Sequence, residues 1–284
     1  MAGQVLVGVD GSEPSMLALD WAVSEAVGRD AGLTVCCVAN DDSLAEPALW
    51  TTPQLIKEHA GDVVRRAEAR ARDAAPQLEL TGEVMVGAAA EQLIAASRDA
   101  DLLVLGCRGL GAFLGLLLGS VSERVAQHSA CPVVVVRGSA SSWDGPVLLG
   151  VDGAPESAAA VEYAFTAADR RQVDIVALTA APPPWIAPPP SYPIMPVTEE
   201  AARTALQGLQ EDAIRAGLEQ HPRTPVEYRV VLASAAKSLI DASGGCGLVV
   251  LGSRGRSGLA GSLTGSVSGH VLRHAHCPVC IVRG

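Results

Sequence analysis

Two kinds of apolar pattern alternate along the chain, and the series is traversed twice. Short β-branched-rich runs at 4–10, 33–39, 102–106 and 132–136 read as buried strands, while the alternation at 79–86 predicts a strand with one wet face. Between them the apolar positions return with helical period. One helix is predicted from Pro14, in the first turn, to about Arg29, with Leu17, Trp21 and Ser24/Glu25 along one face. Others are predicted near 54–74, 89–98 and 119–129. The RRAEARAR segment of the second is a solvated face with Glu68 and Arg72 one turn apart. Strands alternating with helices imply βαβ units and a parallel sheet.

The second traverse begins at Val147–Asp152, which repeats Val5–Asp10 at an offset of 142 (152 − 10), with Tyr163 where Trp21 falls. It continues through a strand at 173–180, a helix at about 198–219, a strand at 226–232, a helix at 235–243, and strands at 248–252 and 278–282. By then the offset is 146 (248 − 102), so the second copy is four residues longer. The expected domains are 1–138 and 146–284, joined by a linker at 139–145 whose composition, SASSWDG, suits no regular element. The Pro-rich stretch 182–196 cannot be helix and reads as an extended loop.

Residues 102–138 and 248–284 are identical at 20 of 37 positions, and each holds Gly-x2-Gly-x9-Gly-Ser after a strand. The first copy is Gly106, Gly109, Gly119 and Ser120; the second is Gly252, Gly255, Gly265 and Ser266. A strand leading through a glycine loop into a helix start is an anion site, because backbone N–H groups can approach closely and the helix end adds positive partial charge. Arg108 and Arg254 lie inside the loops. Ser120 and Glu123 also fit a helix capping box, but Gly269 replaces the acid in the second copy. Asp10 and Asp152 end the first strand of each copy, where a carboxylate can accept hydrogen bonds from a ribose or base, or cap the next helix.

Charge and composition narrow the partners. The net charge is −10, with 10 Lys+Arg against 18 Asp+Glu in residues 1–143, and no basic stripe, which argues against nucleic acid. Only Lys57 and Lys237 accompany 19 arginines (21 − 2), so phosphate binding must rely on amides, hydroxyls and Arg. No Gly-x4-Gly-Lys-Ser/Thr occurs, and the loop after the first strand lacks the dinucleotide fingerprint Gly-x-Gly-x-x-Gly. No apolar run is long enough to span a bilayer and no signal-type leader is evident, so a cytoplasmic protein is expected. Seven scattered cysteines do not form a disulfide framework. Cys277 and Cys280, placed within one strand, would face opposite sides; His270, His274 and His276 lack a completed ligand set.

GVDG near each domain start, the paired glycine signature and the closing CPVVVV and CPVCIV strands resemble the universal stress protein family in its tandem form. The resemblance covers nearly the whole chain. It implies two domains, each a five-stranded parallel sheet of order 3-2-1-4-5 with helices on both faces, and it implies ATP, with Mg²⁺, as ligand. By the same resemblance Asp10 and Val38 or Ala39 would take the nucleoside in the first domain. Gly106, Arg108, Gly109, Gly119, Ser120, Val121 and Ser122 would take the ribose and phosphates. In the second domain the corresponding sets are Asp152 with Leu178 or Thr179, then Gly252, Arg254, Gly255, Gly265, Ser266, Val267 and Ser268. Ala154 in place of Ser12, and Ala233 in place of Gly87, imply a differently shaped second rim. The expected role is a regulatory, stress-response protein with at most weak ATPase activity. Its domains would pair through their last strands, and a homodimer is possible. An ATPase, kinase or adenylyl-transferring enzyme and a partner-binding scaffold with empty pockets are the rival readings.

Overall fold

In the computed structural model the described residues are 3–39, 52–109, 117–138, 143–183, 198–253 and 265–284. The chain divides into two compact units, Met1–Ala140 and Ser141–Gly284. The first contains β1 (Gln4–Gly8), α1 (Glu13–Arg29), β2 (Gly32–Ala39), α2 (Pro53–Ala74), β3 (Leu80–Val86), α3 (Ala89–Ala96), β4 (Leu102–Gly106), α4 (Ser120–His128) and β5 (Val133–Val136). The second repeats this as β6 (Val147–Gly150), α5 (Ala158–Arg171), β7 (Ile175–Ala180), α6 (Glu199–Gln220), β8 (Val226–Val231), α7 (Ala235–Ser243), β9 (Leu248–Gly252), α8 (Ser266–His274) and β10 (Val279–Val282). The strands thus stop short of the aspartates: β1 and β6 end at Gly8 and Gly150, and Asp10 and Asp152 stand in the turns that follow. The linker residues 139–142 and most of the Pro-rich stretch, 184–196, lie outside the described residues.

Each unit is α/β. Its strands are parallel, in the order β3-β2-β1-β4-β5 in the first unit and β8-β7-β6-β9-β10 in the second. In the first unit α1 packs with α2 and α3 with α4; in the second α5 packs with α6 and α7 with α8. Central strands read as unbroken apolar runs because helices cover both faces: Val5, Val7, Leu33, Val35, Leu102, Leu103 and Val104 have no solvent exposure. The outer strands β3 and β8 hold no fully buried residue, so the strand expected at 79–86 to have one wet face is exposed or half-buried along its whole length.

One positional match differs in burial, and one sequence expectation is corrected. Tyr163, the positional match of Trp21, is only half-buried, and Phe165 fills the second core with no exposed surface. The helix there begins with a 3₁₀ turn at Pro155–Ser157, and Phe165 packs where a side chain on Gly217 of α6 would collide with its ring. Cys277 precedes β10, so only Cys280 lies in that strand, and both are buried.

Candidate functional site

The first unit brings its first βα turn against its glycine loop. In the first unit Gly11, at φ 84°, makes the left-handed turn that lets the chain reverse from β1 into α1. Ser12 caps α1, accepting from the Ser15 N–H at 3.4 Å, and Asp10 supports it: Asp10 Oδ1 accepts from the Ser12 N–H at 3.0 Å and from the Ser12 hydroxyl at 2.5 Å. Asp10 is therefore not the helix cap that its position allowed, because the hydroxyl two residues later is better placed for the first-turn amides. Its other carboxylate oxygen, Oδ2, lies where a Cβ on Gly109 would stand. Glycine at 109 is what permits this approach, across a separation of 99 residues (109 − 10).

The loop is shaped at both ends. Cys107 donates its N–H to Val136 at 3.0 Å, and its carbonyl accepts from the Gly119 N–H at 2.8 Å, so entry and exit are clamped together. Ser253 repeats both bonds in the second unit, donating to Val282 at 2.8 Å and accepting from Gly265 at 2.8 Å. A Cβ on Gly106 would come within 2.6 Å of the Pro14 carbonyl, so this glycine serves close packing of the α1 start on β4. One on Gly119 would meet only ordinary contacts, the nearest being Arg108 Cα at 3.5 Å.

The α4 start contradicts the capping box. The N-cap is Gly119, no side chain caps it, and Ser120 is the first helical residue, exposed. α8 begins identically, with Gly265 at the N-cap and Ser266 exposed in first position. A helix whose opening amides lack a side-chain acceptor presents donors and a positive dipole end to whatever lies beyond it. The next serines point inward instead. Buried Ser122 donates its hydroxyl to the Gly106 carbonyl at 2.7 Å, and buried Ser268 donates to Gly265 at 3.0 Å. Ser122 thereby fastens α4 to the start of the loop, Ser268 makes a longer bond of the same kind to the Ser253 carbonyl at 3.5 Å, and both keep only their lone pairs for a ligand. Val121 and Val267 are half-buried beside them, and Arg108 is exposed on the loop. Arg254 and Gly255 lie outside the described residues, as do 110–116 of the first loop.

The second unit repeats the aspartate turn with different wiring. Gly153 makes the left-handed turn at φ 72°, and Asp152 Oδ1 accepts from the Ala154 N–H at 3.0 Å. Since Ala154 has no hydroxyl, Ser157 turns its own onto Asp152 Oδ1 at 2.6 Å, whereas the matching Ser15 donates to the Ser12 carbonyl at 2.9 Å. The rim differs too. Gly87 takes φ 126°, while its counterpart Ala233 is not among the residues with left-handed backbone, as expected for a residue carrying Cβ.

Strand register revises the matching of the two nucleoside sets. Gly8 pairs with Cys36 and Gly150 with Leu178, so Cys36 and Cys37 correspond to Leu178 and Thr179. Val38 and Ala39 correspond to Ala180 and Ala181; Leu178 and Thr179 sit two residues deeper than the residues named beside Asp10. Val38 is half-buried, and the Ala39 carbonyl is engaged by the Gly87 N–H at 3.0 Å. The deeper position is one that sequence reasoning missed in the first unit. Cys37 is 6% exposed, and burial together with the Asp10 charge pushes its thiol up to about 11. The adjacent apolar run LTVCCVA disguised it as core.

Comparison with known proteins agrees with the repeat. The model of the "Universal stress protein family" matches residues 1–137 and again 145–283. A universal stress protein of Mycolicibacterium smegmatis is 37% identical over 288 residues, spanning 98% of this chain and 96% of its own length. One from Mycobacterium tuberculosis is 34% identical over 292 residues, again spanning 98% of this chain and 96% of its own. Among solved structures, a universal stress protein from Archaeoglobus fulgidus superposes with a TM-score of 0.74 over 99% of this chain and 98% of its own, at 21% identity, a likeness of fold.

Proposed function

The chain belongs to the universal stress protein family, and we propose that each unit binds one molecule of ATP as a regulatory ligand. The observation that carries this reading is the meeting of Asp10, Gly109 and the uncapped α4 start at the end of β1 and β4. The carboxylate suits ribose hydroxyls, the glycine loop and helix amides suit phosphates, and Arg108 supplies charge at the loop. Val38 and Ala39 line the nucleoside end of this site. In the second unit Asp152, Gly252, Gly265, Ser266, Val267 and Ser268, with Arg254 and Gly255, would hold the other nucleotide. Leu178 and Thr179 lie beneath it. Mg²⁺ would accompany the phosphates, with the exposed Ser120 and Ser266 hydroxyls available to it.

Turnover should be slight. Phosphoryl transfer needs a positioned nucleophile with a base or orienting group beside it. Neither glycine signature repeats such a residue, and neither contains lysine. ATP would then act by shifting conformation or partner affinity in a cytoplasmic stress response. Among the described residues no helix is long and apolar enough to cross a membrane.

Native mass spectrometry of the full chain tests the assignment. Two nucleotides per chain are expected, falling to one in Gly109→Val or Gly255→Val and to none in the double variant; unchanged occupancy in the double variant would refute the loop assignment. Phosphate release with Mg²⁺ and excess ATP separates the enzyme reading, whose ordinary range begins at about 1 per second. Sustained turnover near that rate, lost in Gly119→Ala with Gly265→Ala, would establish it instead.

A further inference from the structure

The last helix of each unit carries a different pair of side chains one turn apart. On α8 these are His270, exposed, and His274, half-buried, whose rings stack with centroids 4.5 Å apart and planes 30° from parallel. On α4 the matching residues, at an offset of 146 (270 − 124), are Arg124 and His128. Arg124 reaches across to Glu91 on α3 at 3.3 Å, and His128 sets Nδ1 2.9 Å from the Arg124 carbonyl. The second unit has neither member of that ion pair. Lys237 stands at the position of Glu91 (237 − 91 = 146) and is held by Asp241, one turn on, at 2.7 Å. Among the described residues His270 makes no hydrogen bond or ion pair, so its ring nitrogens are open to a ligand. His276 does not join the pair. Its N–H donates to the Ser243 hydroxyl at 3.0 Å, and its ring lies 3.8 Å from where a Cβ on Gly244 would stand, at the end of α7.

We propose that His270 and His274 form an open site for one divalent transition-metal ion of the zinc, nickel and copper class. Two histidines one turn apart on a helix face are the spacing by which helical motifs hold zinc, and imidazole suits all three metals. Zn–N bonds of about 2.0–2.1 Å at a tetrahedral angle put the two nitrogens about 3.4 Å apart, which small ring rotations reach from the stacked arrangement. Each imidazole gives one nitrogen lone pair. Water fills the remaining positions, because among the described residues no third His, Cys, Asp or Glu joins the group. Two protein ligands make a weaker and more exchangeable site than the three or four of catalytic and structural zinc. The ion ties the last turn of α8 to the turn before it, and so stabilises the helix that begins at Ser266. The site is independent of the nucleotide reading, and the first unit, with Arg124 in place of a histidine, lacks it.

The test uses the full chain, untagged and free of nucleotide, titrated with Zn²⁺ and separately with Ni²⁺ in a buffer that binds neither. NMR should move the His270 and His274 ring signals together, while Mg²⁺, which prefers oxygen ligands, should move neither. His270→Arg installs the residue that α4 carries at this position, so the variant should melt with its parent when no metal is present. Its Zn²⁺ affinity, read by calorimetry, should fall at least about tenfold, since losing even a supporting group behind a metal ligand costs that much. His274→Gln should behave in the same way, and His276→Ala should bind as the parent does. Saturating Zn²⁺ should raise the melting temperature of the parent and of His276→Ala, and leave that of His270→Arg where it was. Unchanged Zn²⁺ affinity in His270→Arg and His274→Gln would overturn the proposal, because the ion would then belong elsewhere. Loss of binding in His276→Ala, or ring signals that stay fixed at millimolar Zn²⁺, would overturn it as well.

Discussion

The two first βα turns carry nearly the same letters, Gly-Val-Asp-Gly followed by Ser in one and Ala in the other, yet hold their aspartates differently. In the first unit Ser12 stands between Asp10 and α1, bonding to both. In the second, Ala154 cannot, so the helix opens through a 3₁₀ turn and Ser157, three residues on, takes over Asp152. One lost hydroxyl has been answered by rotating another, and the aspartate keeps two donors on one oxygen in both units. What the motif preserves is the satisfied carboxylate, presented at the strand ends; the route to it is local and replaceable.

The largest effect that would separate the units is in the core. Phe165→Ala should destabilise the second unit by about 4 kcal/mol, since a large aromatic leaves a cavity, whereas Tyr163→Ala should cost under about 1 kcal/mol. Hydrogen exchange resolved by strand would show the loss in β6–β10. Equal costs would mean that the aromatic anchor is shared and the comparison of cores is mistaken.

Alkaline pH should distinguish the units next. Burial raises the thiols of Cys36, Cys37 and Cys131 in the first unit and of Cys246 in the second above their ordinary 9.0. A raised thiol keeps its proton in the folded state, so its contribution is complete below pH 9.0 and drains as pH rises towards the folded value, about 11 for Cys37. Between those limits each such thiol costs up to about 1.4 kcal/mol per pH unit. The first unit should lose protection faster from pH 9 to pH 10. Cys36→Leu with Cys37→Thr, the residues of the second unit, should remove most of the difference; an unaltered pH response would rule these thiols out.

Smaller effects come from the turns themselves. Ser12→Ala removes the α1 cap and one donor to Asp10, and should cost about 1 kcal/mol in chemical denaturation. The reverse exchange, Ala154→Ser, should gain only a few tenths of a kcal/mol, because Ser157 already serves Asp152. A full 1 kcal/mol gain would show that Ser157 is a poor substitute.

The strand and helix sequence, the repeat and the glycine signature were legible because they are written locally. Apolar runs, period and turn residues depend on neighbours a few positions away, and a parallel α/β fold follows from their alternation. Positions such as Cys37 were illegible for the opposite reason. A buried thiol in an apolar strand looks like core until the turn after another strand places a carboxylate beside it. The capping box at Ser120 and Glu123 was a sound local pattern, but clamping of Gly119 to Cys107 moved the helix start by one residue and left Ser120 outside the cap. Likewise the sequence repeat made Tyr163 the partner of Trp21, and packing of α6 against α5 chose Phe165. By itself the sequence determined two α/β repeats, each with an aspartate turn and a glycine loop that suit an anion. Only tertiary structure decided which atoms meet: Asp10 with Gly109, Ser122 with Gly106, and Gln210 with the β7 carbonyl beside Thr179. Those contacts join residues far apart in the chain, and they are selected by packing and strand register rather than by any preference encoded next to them.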